Sequence, residues 1–452
     1  MKQNDNKIFF RQVFALVLPM ALQNLINTAI NSADVFMLQL IGEDALSGAS
    51  LAGQVQFIMA LIFFGLCSGS TVLTAQYWGR GDKRTVEKVL GLTTSISAVI
   101  GLLFFLAAFC FPVTIMGLLT NDPDVIREGA SYLRIIAFSY PLISFSMIYL
   151  NIMRSVERVV ISTVVYSISL VVNIGLNLLF IKGWLGFPML GTVGVAVATL
   201  VARAFELGAV IFYSLRMSSI RWRIKYMLHF DRWLVSDFFR YSSPVILNEL
   251  LLGLGIALGA VVIGHMGSEA IAAQSVTTQV RQLAMVISIG IANATAVILG
   301  KSIGGGNLDN AKSEAKKLIT LALISGLAGA LLLLLLRPVV PYIFTNLSAL
   351  SVKYLKFMLL AISVYTVARS VTSAMIIGVF RSGGDTRFAL FVDLLTLWCV
   401  SLLGAYIAYR LGASVELVFC LIISDEVLKI PIIIHRYKSG VWLKNITRAT
   451  AS

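Results

Sequence analysis

The sequence predicts an all-α polytopic membrane protein whose twelve transmembrane helices form two six-helix lobes related by a parallel repeat. Three observations lead to this fold class. The chain has 452 residues, of which 58% are hydrophobic and only 13% are charged, whereas a soluble protein carries about 25% charged residues. Long apolar runs recur along the whole length. The first half of the chain also resembles the second half when the sequence is aligned with itself.

Each apolar run is long enough to cross the roughly 30 Å hydrocarbon core of a bilayer as a helix. Transmembrane β-strands are excluded, because they are about 10 residues long and alternate in polarity. The first run is too long for the core of a signal peptide, so it is interpreted as a retained helix. The twelve predicted runs cover residues 13–40, 51–78, 90–115, 131–152, 161–182, 191–215, 241–265, 275–300, 316–344, 355–380, 388–410 and 416–437.

The distribution of basic residues predicts the orientation of these helices. Of the 36 Lys and Arg residues, 25 fall in the terminal segments and in alternate loops, while the opposite loops hold 6. Basic residues accumulate on the cytoplasmic side of a membrane protein, so both termini are predicted to be cytoplasmic. The net charge of +14 is therefore interpreted as a topology signal, and no nucleic-acid partner is predicted.

The internal repeat divides the chain into lobes at 1–225 and 226–452. When the sequence is shifted by 225 residues without gaps, residues 19–81 align with 244–306, and 13 of those 63 positions are identical. Each half contains six predicted helices. Because six is an even number of crossings, both halves start on the same side of the membrane and the repeat is parallel. The basic segment 216–240 is predicted to be the hinge between the lobes. Its tryptophans and cations resemble an amphipathic segment at anionic headgroups, so membrane lipids are predicted partners.

Several short motifs add to this organisation. Their arrangement resembles the multidrug and toxic compound extrusion (MATE) family over essentially the whole chain. The motifs are Pro19 fifteen residues before Asp34, the loop Gly79-x-Gly81-Asp82, the turn Gly186-Phe187-Pro188, and the stretch from Gly191 to Ala198-Thr199.

The resemblance implies a secondary active antiporter, not an enzyme, that exports organic cations and drugs across the cell membrane in exchange for H⁺ or Na⁺. It also implies a multi-pass monomer that needs no cofactor besides the coupling ion. The alternative is a lipid-linked oligosaccharide flippase of related two-lobed architecture. Twelve spans, and the predominance of acids over bases inside the first lobe, argue against that alternative. A channel or a membrane-embedded enzyme fits less well still.

Asp34 is the strongest candidate for the cation-coupling residue, and it is also the possible ligand of Na⁺. A carboxylate inside a membrane is costly unless it is paired, hydrated or neutralised, so its presence indicates a function. Its family counterpart lies fifteen residues after the proline of the first span, here Pro19, which is expected to bend that helix. A structurally satisfied acid is the other interpretation. The polar residues Asn24, Asn27, Thr28, Asn31 and Asp34 share one helical face.

Asn173 and Asn177 lie one turn apart in the fifth predicted span, and Thr199 lies in the sixth. If these helices face Asp34, their oxygens provide a Na⁺ site, or their hydrogen bonds adjust the acid's affinity for a proton. Hydrogen bonding between buried helices is the alternative interpretation. Some family branches carry a second acid one turn later, where this chain has Ile181.

Glu249, in the seventh span, is predicted with Asn24, Asn27 and Asn31 to form a substrate site or a second cation site. The repeat aligns Glu249 with Asn24. The family's seventh-span glutamate lies eight residues after the proline, where this chain has Leu252, so the match is displaced by about one turn. An arginine partner would weaken the cation-binding role of Glu249. Elsewhere, Arg203 is expected to pair with Glu206, and Lys429 with Asp425 or Glu426.

Overall fold

The computed structural model describes residues 2–39, 41–183, 189–344 and 347–448, which form helices and turns. The Gly186-Phe187-Pro188 motif lies outside the described residues. The helices of the first half are α1 Lys2–Gln39, α2 Glu43–Gly79, α3 Lys83–Cys110, α4 Pro112–Leu119, α5 Pro123–Ile136, α6 Ser139–Ser155, α7 Val159–Lys182, α8 Gly191–Arg216 and α9 Ile224–Leu228. Those of the second half are α10 Arg232–Gly264, α11 Ser268–Gly304, α12 Leu308–Leu336, α13 Val340–Ile343, α14 Ala349–Ser373, α15 Thr386–Asp393, α16 Leu403–Arg410, α17 Val415–Ile422 and α18 Asp425–Lys438.

Among the described residues, ten helices are long and apolar enough to cross a membrane. The pair α5 and α6, bent by 50° at the turn between them, forms an eleventh candidate. These eleven cover the first eleven runs that the sequence predicts, and the all-helical polytopic class is confirmed.

The last predicted run, 416–437, is not one straight helix. It is divided between α17 and α18, and Ile423 and Ser424 separate them. Asp425, Glu426 and Lys429 follow this break and are all buried. Three charged side chains within one turn of helix are costly in hydrocarbon unless they find partners inside the protein. The break lies where such partners are provided, as the ion pairs described below show.

Two π-helical segments interrupt the second half, at Ala374–Phe380 between α14 and α15 and at Leu394–Leu402 between α15 and α16. The wider π turn changes which side chains face inward, and such segments are frequent at functional sites. Each one adjoins a buried polar group, Thr372 before the first and Asp393 before the second.

By the proximity of their residues, the described parts of the chain form two compact units. The first contains residues 1–21, 71–81 and 239–452, and the second contains residues 22–70 and 82–238. We call them the carboxy-terminal unit and the amino-terminal unit. The helix α1 contributes to both, and Pro19 lies inside it two residues before the change of unit. The predicted division into lobes at residue 225 follows the repeat instead, and it stays a prediction.

Repeated glycines explain one crossing of helices inside the carboxy-terminal unit. Gly79 at the end of α2 and Gly304 at the end of α11 are equivalent in the repeat. A Cβ on Gly79 would overlap the carbonyl of Lys301, and one on Gly304 would overlap the carbonyl of Gln76. Only glycine permits this approach of two backbones. The side chain of Gln76 then holds the final segment of the chain, since Nε2 donates to the Ser382 carbonyl (2.6 Å) and Oε1 accepts from the Ile446 amide (2.9 Å).

Residues 216–238 of the basic segment belong to the amino-terminal unit, where the segment packs along α3. Lys88 on α3 pairs with Asp231 at 2.6 Å, and Arg223 pairs with Glu87 at 2.5 Å. The two tryptophans of the segment, Trp222 and Trp233, are both partly buried, and the contact of the segment with lipid headgroups stays a prediction. Trp222 packs on Tyr149 with 4.8 Å between ring centroids. The exposed apolar side chains are others, namely Ile224, Leu228 and Phe230.

Candidate functional site

Asp34 lies on α1 inside the amino-terminal unit, where side chains from α7 and α8 surround it. The Nδ2 atom of Asn177 donates to its Oδ1 atom at 2.9 Å. Asn173 and Thr199 also lie within hydrogen-bonding reach of this carboxylate. The structure therefore brings together the four residues that the sequence singled out for cation coupling. We call them the Asp34 site.

The three neutral side chains of this site also bond to one another. Asn177 Nδ2 lies 3.2 Å from Asn173 Oδ1, and Asn173 Nδ2 donates to Thr199 Oγ1 at 3.1 Å. The Thr199 hydroxyl in turn donates to the Val195 carbonyl at 3.0 Å. The chain of bonds fixes the direction in which each amide points. One acceptor, Asn177 Oδ1, is buried and has no hydrogen-bond partner among the described residues.

A buried ion pair lies beside the Asp34 site. Arg203 Nη1 donates to Glu206 Oε1 at 2.7 Å, as the sequence predicts from their spacing on α8. The guanidinium also interacts electrostatically with Asp34. The Asp34 site therefore has a positive charge nearby. The spacing along α8 predicted the pair of Arg203 with Glu206, but not that Arg203 lies near Asp34.

Two tyrosines complete the surroundings of Asp34. Tyr132 on α5 interacts electrostatically with Asp34 and with Tyr140 on α6. The hydroxyl of Tyr140 is buried and has no hydrogen-bond partner among the described residues. No sequence signal pointed to Tyr132.

The polar residues at the start of the stripe on α1 are partly buried in the same unit. Asn24 and Asn27 are both of intermediate exposure, and Thr28 Oγ1 donates to the Asn24 carbonyl at 3.0 Å. The amide nitrogen of Asn24 and Oε1 of Gln23 are buried without partners among the described residues. The side chain of Asn31 lies outside the described part of the structure. The stripe thus leaves polar atoms with unused hydrogen-bonding capacity.

Glu249 lies on α10 in the carboxy-terminal unit, in an ion pair. Its Oε1 atom lies 2.8 Å from Nη2 of Arg381, and both side chains are largely buried. The neighbouring Asn248 donates to Asp393 Oδ2 at 2.8 Å. The guanidinium of Arg381 reduces the attraction of Glu249 for another cation. This pair therefore weakens the predicted role of Glu249 in binding a substrate or a second cation. Its assignment as a substrate or second cation site stays a prediction.

The second concentration of charge in the carboxy-terminal unit is centred on Lys429, which is fully buried. Its Nζ atom lies 2.8 Å from Asp393, 2.8 Å from Asp425 and 2.9 Å from Glu426. Glu426 also pairs with Arg369 and accepts a hydrogen bond from Thr372. We call Asp393, Asp425, Glu426, Lys429 and Arg369 the Lys429 cluster. The sequence predicted the contacts of Lys429 along α18, and the tertiary structure adds its pair with Asp393.

A family model named MatE matches residues 19–179 and 244–407 of the chain. The two matched segments start 225 residues apart, which is the shift of the internal repeat. The chain belongs to the MatE family. The resemblance to this family that the sequence indicated is confirmed, and so is a membrane protein of the transporter class.

Relatives of this MatE protein cover nearly its whole length. It is 23% identical to "Probable multidrug resistance protein YoeA" of Bacillus subtilis, with 97% of this chain and 96% of the relative aligned. It is 21% identical to "Uncharacterized transporter YisQ" of the same organism, with 98% and 97% aligned. A solved structure described as MATE in the bent conformation has a TM-score of 0.86, with 19% identity and coverage of 95% and 96%. These likenesses do not favour a flippase.

Proposed function

We propose that this MatE protein is an antiporter that exports organic cations across the cell membrane in exchange for H⁺. The observation that carries the proposal is the surroundings of Asp34. The carboxylate lies on α1, four residues beyond the candidate membrane span Asn6–Ile30 of that helix, and its hydrogen bonds come from neutral amide and hydroxyl groups. Neutral partners allow the acid to be ionised or protonated without leaving a buried cation unpaired. The relative YoeA is named a probable multidrug resistance protein, and this name supports drugs as the class of substrate.

The charges near Asp34 support mutually exclusive binding of the two cations. Arg203 and Glu206 pair with each other, so together they contribute no net charge. The site therefore carries one negative charge when Asp34 is ionised and none when it is protonated. A low-dielectric environment strongly favours the neutral state. An organic cation can provide the same neutralisation, so either a proton or a substrate occupies the site, but not both.

A proton fits this arrangement better than Na⁺ does. A hard cation is bound by several oxygen ligands at once. Near Asp34, the nitrogen of Asn177 donates to the carboxylate, and the oxygens of Asn173 and Thr199 already accept hydrogen bonds. Among the described residues, Asn177 Oδ1 is the one neutral side-chain oxygen of the site without a hydrogen bond, which is fewer free ligands than a hard cation requires. A proton needs one carboxylate oxygen and no further ligands.

The driving force determines how steep a substrate gradient such an exchanger can maintain. The exchange of one proton for one monovalent organic cation moves no net charge, so the driving force is the pH difference, and each pH unit, worth about 1.4 kcal/mol, supports about tenfold accumulation of substrate if coupling is tight. Each proton that Asp34 carries inward can therefore support export against a substantial gradient.

Transport in proteoliposomes with separate ion gradients tests the proposal. Protein reconstituted with ethidium as substrate is expected to accumulate the dye against its gradient when a pH difference is imposed. A Na⁺ gradient at equal pH is expected to drive no accumulation. Asp34→Asn should be inactive in both conditions, and Asp44→Asn, which changes an exposed acid of the same unit, should behave as wild type. Accumulation driven by Na⁺ alone would overturn the choice of ion, and accumulation by Asp34→Asn would overturn the site.

We also propose that the protein is a monomer of the cell membrane with both termini in the cytoplasm. The alternation of basic residues along the loops supports this orientation. In a cysteine-free background, Ser268→Cys, at the exposed first residue of α11, should react with a membrane-impermeant maleimide added to intact cells. Ser439→Cys after α18 should react only after the cells are lysed. The opposite pattern would reverse the orientation.

A further inference from the structure

A small cavity with several polar side chains in its lining lies inside the carboxy-terminal unit, apart from the Glu249–Arg381 pair. The space open to the centre of a water molecule is about 100 Å³, well above the roughly 10–15 Å³ that one water requires on this measure. Helices α10, α11, α14, α17 and α18 and the π-helical segment Leu394–Leu402 contribute to its walls. Its polar lining consists largely of Gln274, Arg281, Tyr365, Arg369, Asp425 and Glu426.

Arg281 is unusual among the basic residues inside the spans. Its guanidinium donates to the Tyr365 hydroxyl at 3.3 Å and lies 5.5 Å from the centre of that ring. Among the described residues, its side chain has no carboxylate within 4.0 Å, whereas Arg203, Arg369 and Lys429 each have one. A guanidinium in an apolar bundle attracts an anion when the protein does not provide one.

The lining of the cavity also carries negative charge. The Lys429 cluster contains three carboxylates and two cations, so it has one negative charge in excess when all five groups are ionised. Glu426 is satisfied by Arg369, Lys429 and Thr372. Asp425 bonds to Lys429 through Oδ2, which leaves Oδ1 as the acceptor with capacity to spare.

Two further groups line the same cavity. Tyr365 is the hydrogen-bond partner of Arg281. The Oε1 atom of Gln274 is buried and has no hydrogen-bond partner among the described residues. The cavity lining therefore offers both an anion-binding guanidinium and unused acceptors for a donor.

From this juxtaposition we propose that the cavity binds the head of a small zwitterion. Arg281 and the Tyr365 hydroxyl hold its carboxylate, and Asp425 with Gln274 Oε1 holds its ammonium group. Arginine is well suited to a carboxylate because its planar donors match the two oxygens. A zwitterion leaves the net charge of the cavity unchanged, whereas a simple anion or a simple cation would change it. This site goes beyond the proposed proton-driven export and does not depend on Asp34.

Binding to purified protein in nanodiscs tests the site without any ion gradient. The probes are L-alanine and L-proline, each beside its methyl ester, which lacks the carboxylate, and its N-acetyl derivative, which lacks the ammonium group. Isothermal titration calorimetry should detect at least one of the two zwitterions and should show markedly weaker binding of its ester and acetyl forms. A zwitterion that binds no better than its single-charge derivatives, or no binding by either amino acid, would overturn the proposal.

Variants locate the binding within the cavity. Arg281→Gln should weaken binding by about 10- to 100-fold, the range expected for hydrogen bonds between charged groups. Tyr365→Phe keeps the guanidinium and removes only one donor, so it should weaken binding less and remain informative if Arg281→Gln fails to fold. Arg337→Gln, a basic residue bonded to the Lys356 carbonyl, is the matched control and should bind as wild type.

The Asp34→Asn protein separates this proposal from the proposed function. It should bind the zwitterion with unchanged affinity even though its ion-driven efflux is lost. Wild-type affinity in Arg281→Gln and Tyr365→Phe together would show that the ligand binds elsewhere, and the proposed cavity site would be wrong.

Discussion

The Asp34 site and the Lys429 cluster are two ways to keep carboxylates inside a membrane protein. In the amino-terminal unit, one acid is hydrogen-bonded by neutral side chains, and the nearby guanidinium of Arg203 is already engaged by Glu206. In the carboxy-terminal unit, three acids surround a fully buried lysine at 2.8–2.9 Å. The charges are similar in kind, but the partners differ.

The difference separates a group that can change its charge from groups that cannot. When a carboxylate and a cation are buried together, removing the charge of one leaves the other uncompensated, at a cost of about 3–5 kcal/mol. The Lys429 cluster is therefore expected to keep its ionisation during transport. Asp34 has no such obligatory partner, so its charge can be cancelled by a proton or a substrate and restored when either leaves.

The largest expected effect follows from removing the charge of Asp34. Asp34→Asn should abolish uphill efflux of ethidium and leave the midpoint of thermal unfolding unchanged or raised, because the amide still bonds to Asn177. Efflux in proteoliposomes and a thermal melt of the purified protein measure the two effects. Loss of folding in this variant would show that Asp34 has a structural role. The Asp34 site would then not differ from the Lys429 cluster in its ability to change charge.

Lys429→Met should produce the largest loss of stability. The three carboxylates of the cluster would keep only Arg369 as a compensating charge, so we expect destabilisation by about 3–5 kcal/mol. Denaturant or thermal unfolding in detergent measures this loss. The control is Lys438→Met, an exposed lysine of the same helix, which should change stability by less than about 0.5 kcal/mol. Equal stability of both variants would contradict a fixed, ionised cluster.

Asn177→Ala should have an intermediate effect on transport. It removes the 2.9 Å hydrogen bond to Asp34, and hydrogen bonds to charged groups contribute about 1.5–3 kcal/mol. The ionised state of the site becomes less favourable, so release of the proton and the rate of exchange should fall by about 10- to 100-fold. Asn121→Ala, in an exposed turn, is the control. Wild-type exchange by Asn177→Ala would remove this amide from the coupling site.

The smallest effect is expected when Glu249 is removed together with its partner. The double variant Glu249→Leu/Arg381→Met replaces a whole buried pair by apolar side chains, which is often neutral or stabilising. Proton-driven efflux should stay close to the wild-type rate. If coupling or dye binding were lost, Glu249 would be part of a cation site, as the sequence suggested, and the carboxy-terminal unit would share the function of Asp34.

The sequence by itself determined the features that depend on local periodicity. Apolar runs of span length fixed the helical membrane class, and the shift of 225 residues fixed the repeat. The spacing of polar residues on α1 placed Asp34 on one face with Asn24 and Asn27. The three-residue spacing of Arg203 and Glu206 predicted their ion pair, because side chains one turn apart on a helix meet wherever that helix packs.

The tertiary structure decided which distant charges meet. Glu249 pairs with Arg381, 132 residues away, and no spacing along the chain identified which arginine would be its partner. Several charged residues had suitable chemistry, and only the packing of helices selects among them. For the same reason, no pattern along the chain showed that Arg281 lacks a nearby acid, or that 416–437 breaks into two helices around the buried Lys429.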